Sequence, residues 1–226
     1  MNSDKKAVRI AGVLFLVIFI LGVTIFQVLQ GPVLFADDFL TKTSSHSNQM
    51  ILSILLGILS GILSIIISII FLPIFKRYSQ RLGYVYISFC ILNFIAVSID
   101  NMSVLAMLEL SIAYVKNGTD TTPFEIMGTI FYKKHWWTHH LSLLISCFPV
   151  FIFYFTLYTS KLIPRAISAI GIIAVMLMFI EMLFTILGQS ISMNMLLPIG
   201  LIQLFLPFWL IIKGLNLPVL TTRQTE

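Results

Sequence analysis

The chain has 226 residues, of which 58% are hydrophobic and 10% are charged, and its formal net charge is +5. Soluble domains carry about 25% charged residues, so this composition excludes a soluble enzyme, a disordered linker and a nucleic-acid-binding module. Most of the chain needs a lipid bilayer as its solvent.

Six segments are long and apolar enough to cross a bilayer, since a helical span needs roughly 20 residues. None alternates in hydropathy as the strands of a membrane barrel do. We therefore predict an all-α, polytopic membrane protein with a single domain over residues 1–226. The predicted spans, in chain order, cover residues 10–28, 50–75, 82–113, 135–158, 166–188 and 195–213.

The positions of the basic residues predict the orientation of these spans. If the N-terminus lies inside, ten of the 14 Lys and Arg residues fall on the inner side and four on the outer side. Because Lys and Arg favour the cytoplasmic side, both termini are predicted to be cytoplasmic. The inner residues are Lys5, Lys6, Arg9, Lys76, Arg77, Arg81, Lys161, Arg165, Lys213 and Arg223, and the outer ones are Lys42, Lys116, Lys133 and Lys134.

The second predicted span carries small residues at every fourth position, namely Ser53, Gly57 and Gly61. Small residues at this spacing let membrane helices approach closely. We expect these three to form a packing seam inside one chain, and the alternative is a homodimer through this helix. In the loop before the fourth span, residues 123–132 are predicted to form a separate short helix along the membrane interface.

Ionisable residues inside predicted spans are the candidates for a functional site, because lipid makes them costly. Counted from the cytoplasmic ends at 1.5 Å per residue, Asp100 lies about 24 Å, Glu181 about 22 Å and His139 about 28 Å across the bilayer. The three therefore share a depth in the outer leaflet. With His135 on the face of His139, and Asn93 on the face of Asp100, they are our candidate ligand-binding residues.

The spacing of His135 and His139 allows a second interpretation. Residues four apart project from one face of a helix, and two imidazoles so placed suit a single divalent metal such as zinc. A carboxylate, from Asp100 or Glu181, would complete a three-ligand site, although the Glu of an HExxH motif is absent. A third interpretation is structural, with Asp100 and His139 joining two helices by a hydrogen bond.

Several short stretches, in this order and spacing, resemble one bacterial membrane family. They are Arg9-Ile10-Ala11-Gly12, Gly31-Pro32, Leu82-Gly83-Tyr84, Ser160 to Arg165 with Ser168 and Gly171, and Leu210 to Asn216. The family is domain of unknown function 4386, and the resemblance runs from about Arg9 to Asn216. It implies a six-helix protein of the bacterial cytoplasmic membrane with no established activity. It also implies an Arg and a Glu early in the third span, where this chain has Ser88 and Ile91.

Three functions are therefore expected as alternatives. The first is a non-enzymatic protein that binds or moves a small or lipidic ligand through an outward-facing polar pocket. The second is a metal-dependent intramembrane hydrolase that uses His135, His139 and a carboxylate. The third is a structural or regulatory membrane subunit. No nucleotide-binding or nucleophile-elbow motif is present in the sequence, and the expected partner is the lipid bilayer, with no committed cofactor and no nucleic acid.

Overall fold

A computed structural model describes residues 2–117, 121–189 and 193–216 of the chain. These residues are almost entirely helical, and no strand occurs among them. Arg223, one of the basic residues used to predict the orientation, lies outside the described residues. The helices are α1 (Asn2–Val23), a π-helical segment (Thr24–Gln30), α2 (Gly31–Leu34), α3 (Phe39–Ser45), α4 (Ser47–Lys76), α5 (Gln80–Asn117), α6 (Thr122–Ser160), α7 (Arg165–Ile186) and α8 (Leu197–Ile212).

Six helical stretches in the described part of the chain are long and apolar enough to cross a membrane, which confirms the predicted all-α, polytopic class. The first is formed by α1, the π-helical segment and α2 together, and α4 to α8 supply the other five. The spans are Asp4–Leu34, Ser47–Lys76, Gln80–Asn117, Thr122–Ser160, Arg165–Ile186 and Asn194–Ile212.

The fourth span differs from the prediction at its beginning. The separate interfacial helix predicted over residues 123–132 is wrong, because α6 runs without a break from Thr122 to Ser160. Pro123 does lie in its first turn. The early turns of α6 have a packing partner that a local sequence pattern does not show, since the Phe124 ring lies 6.2 Å from the ring of Tyr114 on α5. Tertiary contact therefore extends the helix beyond the apolar stretch.

The helices α5 and α6 form a long antiparallel hairpin that holds one register along its length. Ring contacts mark this register at both ends, with Tyr86 beside Phe153 at 5.5 Å near the start of α5 and Tyr114 beside Phe124 at 6.2 Å near its end. Each helix would measure about 57 Å at 1.5 Å per residue, nearly twice the thickness of a bilayer core of about 30 Å. Part of the hairpin must therefore extend past the hydrocarbon.

The small residues of the second span pack inside the chain. A Cβ added at Gly57 would lie 2.8 Å from Asn101 Nδ2, and one added at Gly61 would lie 2.3 Å from the ring of Phe94. Ser53 is fully buried and accepts a hydrogen bond from Gln30 Nε2 at 3.0 Å. The seam thus joins α4 to α5 and to the first span, and the homodimer through this helix stays a prediction.

An aromatic core fills the half of the bundle nearer to the loops that carry Lys76, Arg77 and Lys161. Its centre is Phe153 of α6, whose ring lies 4.9 Å from Phe71 and 5.3 Å from Phe15. These side chains come from three different spans, so the interior is closed at this end by apolar packing. The opposite half has a smaller apolar cluster of its own, which includes Met50 and Met107, together with the buried polar groups described below.

The first span changes its helical pitch in that opposite half. Pro32 has no N–H for the carbonyl of Val28, and the Gln49 side chain donates to that oxygen at 3.3 Å and to the Leu29 oxygen at 2.8 Å. The N–H of Gly31 reaches back to Phe26 O, where a Cβ on Gly31 would approach that oxygen to 2.6 Å. Gly31 and Pro32 together thus account for the π-helical segment, a feature often found at functional sites.

Candidate functional site

The α5–α6 register brings one carboxylate against two histidines. Asp100 Oδ1 lies 3.0 Å from Nδ1 of His135, and Asp100 Oδ2 lies 3.2 Å from Nδ1 of His139. The histidines occupy successive turns of α6, so both face α5. We name Asp100, His135 and His139 the carboxylate–histidine cluster. At 1.5 Å per residue from Arg81, Asp100 lies about 28 Å along α5, toward the end of the bundle away from the basic loops.

The Asp100 carboxylate is buried and has hydrogen-bond donors on both oxygens. Thr138 Oγ1 donates to Oδ1 at 2.8 Å, and His139 Nδ1 donates to Oδ2. Thr138 Oγ1 also lies 3.2 Å from the Oγ of Ser103. A buried charge without such partners would cost several kcal/mol, so these contacts explain how α5 tolerates an aspartate inside the bundle.

His135 is held differently from His139. It is only 3% exposed, and its Nδ1 lacks the alignment for a hydrogen bond although Asp100 Oδ1 is 3.0 Å away. Leaving a buried polar atom without a hydrogen bond costs about 1–3 kcal/mol. The cluster therefore contains one hydrogen-bonded imidazole and one that contacts the carboxylate through a poorly aligned Nδ1.

The first span supplies an aromatic wall to the cluster. Phe26, within the π-helical segment, stacks on the His139 ring with a centroid distance of 5.1 Å and an interplanar angle of 12°. Phe26 in turn lies 5.8 Å from Phe35, which contacts Tyr132 of α6 at 6.4 Å. A row of aromatic rings therefore leads from His139 toward the short helix α3.

The three members of the cluster differ in how far a ligand can reach them. The His139 side chain is 19% exposed, that of Asp100 12% and that of His135 3%. His139 is therefore the point at which a molecule would first touch the cluster. Its Nδ1 faces Asp100, so Nε2 is the ring nitrogen directed away from the carboxylate.

The structure separates the other two predicted site residues from the cluster. Asn93 lies two turns along α5 from Asp100, about 10 Å by helical rise, and its buried Oδ1 has no hydrogen-bond partner. Glu181 lies on α7 with 5% exposure, and none of its described contacts involves the cluster. Of the three residues predicted to share a depth, Asp100 and His139 therefore meet in the cluster, and Glu181 lies apart from it.

Thr138, Ser103 and Phe26 are members of the site that sequence reasoning missed. Thr138 had a local signal, because it stands three residues after His135 and shares its face of the helix. For Phe26 the local signal was weaker. It was the Gly31-Pro32 pair, which disturbs the helix a few residues after Phe26. Ser103 had none, since only the register of the hairpin places it beside Thr138.

The cluster contains three side chains of the types that bind zinc, but they are not arranged around a common metal position. Among residues 2–117, 121–189 and 193–216, no three His, Cys, Asp or Glu side chains are arranged to hold a metal ion. The Nδ1 atoms of both histidines face the oxygens of Asp100. Zinc ligation by His135, His139 and Asp100, and the hydrolase built on it, stay predictions.

The fold and the cluster define a class of protein before any family is considered. Six apolar helices, with a carboxylate and two histidines buried between two of them, make a polytopic membrane protein with an intramembrane polar centre. The chain belongs to the family described as Domain of unknown function (DUF4386), whose sequence profile matches residues 10–214. This match confirms the resemblance seen in the sequence. No curated protein and no solved structure matches the chain.

Proposed function

We propose that this membrane protein binds, and by binding helps to move, a small or lipidic ligand at the carboxylate–histidine cluster. The observation that carries the proposal is the misaligned Nδ1 of His135, which lies 3.0 Å from Asp100 Oδ1 without forming a hydrogen bond. One histidine suffices to pair Asp100 across the helices, and His139 already does so. A second buried histidine that lacks a hydrogen bond weakens the fold, which is typical of a group kept for a ligand.

The ligand is proposed to enter from the outer side of a bacterial cytoplasmic membrane, with both termini in the cytoplasm. Support comes from the N-terminal end of α1, where Asp4 forms an ion pair at 2.8 Å with Arg77 of the α4–α5 loop. The N-terminus therefore lies at the end of the bundle that carries Lys76, Arg81 and Lys161. A bias of Lys and Arg toward one side marks the cytoplasmic side, and the cluster lies toward the other.

A thermal-unfolding experiment in nanodiscs tests the ligand-binding role. The wild type is compared with His135→Phe and with the control His140→Phe, since Nδ1 of His140 pairs with the Trp136 carbonyl of its own helix. We expect His135→Phe to melt at or above the wild-type temperature, because it removes a buried polar atom that has no hydrogen bond. A structural histidine would instead lower the melting temperature markedly.

The same variants are then screened with organic cations, organic anions, divalent metals and lysophospholipids as probes. We expect at least one of these classes to raise the melting temperature of the wild type and of His140→Phe, but not that of His135→Phe. If no class separates His135→Phe from the control, the ligand-binding proposal is wrong. The structural or regulatory subunit is then the better description of the chain.

A further inference from the structure

A second ionisable group lies inside the membrane, on a different helix from the cluster. Glu181 of α7 is 5% exposed, and its buried Oε2 has no hydrogen-bond partner. On either side along α7, Met178 and Met182 belong to the apolar core. At 1.5 Å per residue, Glu181 stands about 24 Å from Arg165 at the start of its helix. It therefore lies far from the basic loops, and α7 continues for five more residues, about 8 Å, to Ile186.

No opposite charge faces this carboxyl group in the described part of the chain. The elements packed against α7 are α6, α8 and the turn Met193–Leu196. From α6, the titratable group close enough to interact with Glu181 is the Cys147 thiol. Neither α8 nor Met193–Leu196 contains an ionisable residue. Glu181 thus lacks imidazole partners of the kind that Asp100 has in His135 and His139.

A carboxylate in this position would be far more costly than a neutral carboxylic acid. An ionised carboxylate in an apolar medium without a partner costs many kcal/mol, whereas the neutral acid keeps only the smaller cost of a polar group. Intramembrane carboxyl groups of this kind recur in proton pathways. From this geometry we infer that Glu181 is a proton-binding site, occupied by a proton while α7 packs against α6 and α8.

Release of this proton requires water at the carboxyl group. The O–H bond of the acid breaks, the proton passes to a water molecule, and the remaining carboxylate needs hydration. Oε2 is buried without a partner, so release of a proton held on that oxygen is linked to local separation of α7 from its neighbours. The ligand of this site is therefore the proton itself, and the inference does not depend on what the carboxylate–histidine cluster binds.

Infrared spectroscopy of the purified protein in nanodiscs at neutral pH tests the inference. We expect the wild type to show the carbonyl stretch of a protonated carboxylic acid, and Glu181→Gln to lose it. The control is Glu109→Gln, which changes an exposed carboxyl group on α5 and should keep the band. Gln has nearly the shape of the neutral acid, so Glu181→Gln should also elute as the same monodisperse species as the wild type.

Labelling with dicyclohexylcarbodiimide provides an independent readout, because this apolar reagent adds to protonated carboxyl groups in membranes. We expect mass spectrometry to find the adduct on Glu181 and not on Asp100, whose carboxylate is already paired. An absent carbonyl band in the wild type, or a band that persists in Glu181→Gln, would contradict the inference. So would equal labelling of Glu181 and Asp100.

Discussion

At the scale of single residues, the site depends on how one carboxylate is shared among three side chains. Asp100 accepts hydrogen bonds from Thr138 and His139, and His135 lies at 3.0 Å without one. The Thr138 hydroxyl is the shortest of these contacts at 2.8 Å. It is also a neutral donor, so its removal changes the hydrogen bonding of Asp100 without changing the charge of the cluster.

Thr138→Val is therefore expected to destabilise the protein by about 1–2 kcal/mol, because Val keeps the shape of Thr and leaves Asp100 Oδ1 short of a donor. Unfolding by denaturant in mixed micelles measures this change. The matched control is Thr129→Val on the same helix, where the exposed hydroxyl donates to the carbonyl of Glu125. Equal losses in the two variants would show that Thr138 acts only through its own helix.

Single residues also show where sequence reasoning was sufficient and where it was not. The sequence indicated Asp100, His135, His139 and Glu181 because ionisable groups stand out in apolar segments. Their depths along the helices could be counted, since helical rise is constant. The partners of these residues could not be predicted, because contact between α5 and α6 depends on how each helix is rotated about its axis. Glu181 shares the depth of Asp100 and yet has no described contact with it.

At the scale of helices, close packing depends on small residues placed opposite large ones. Gly61 of α4 leaves the space that the Phe94 ring occupies, and Gly171 of α7 does the same for Tyr154 of α6. The repeat of small residues in α4 predicted a seam, but the sequence did not say which helix would fill it. The answer depends on side chains of α5 that carry no pattern of their own, namely Phe94 and Asn101.

Gly61→Ala tests this packing directly. A Cβ at this position would lie 2.3 Å from the Phe94 ring, so either the ring or the helix must shift. We expect overpacking to cost about 1–3 kcal/mol, measured by the same unfolding assay. Gly22→Ala is the control, since a Cβ there meets no atom within 4 Å and Ala favours helix over Gly by about 1 kcal/mol. A stable Gly61→Ala would show that α4 and α5 are held elsewhere.

At the scale of the whole molecule, the two ends of the bundle differ in chemistry. The end with the basic loops is closed by the aromatic core around Phe153 and by the ion pair of Asp4 with Arg77. The opposite end contains the carboxylate–histidine cluster and the π-helical segment. The proposed function requires that the end that contains the carboxylate–histidine cluster lies on the outer side of the membrane.

Cysteine labelling in intact cells tests the proposed orientation. Lys116 and Arg81 are both exposed, at opposite ends of α5. A membrane-impermeant maleimide is expected to label Lys116→Cys and to leave Arg81→Cys unlabelled until the cells are permeabilised. The native thiols Cys90 and Cys147 are free and buried, so the wild type serves as the unlabelled control. The reverse pattern of labelling would place the cluster on the cytoplasmic side and contradict the proposed route of entry.

The sequence by itself determined that this is a membrane protein of six helices that belongs to one family. Those properties depend on length, hydropathy and short motifs, which are local and can be read along the chain. Only the tertiary structure decided that Asp100 meets both histidines, and that Glu181 lacks an opposite charge. The physical reason is that the rotation and register of packed helices are set by contacts between distant segments, such as Gly57 with Asn101.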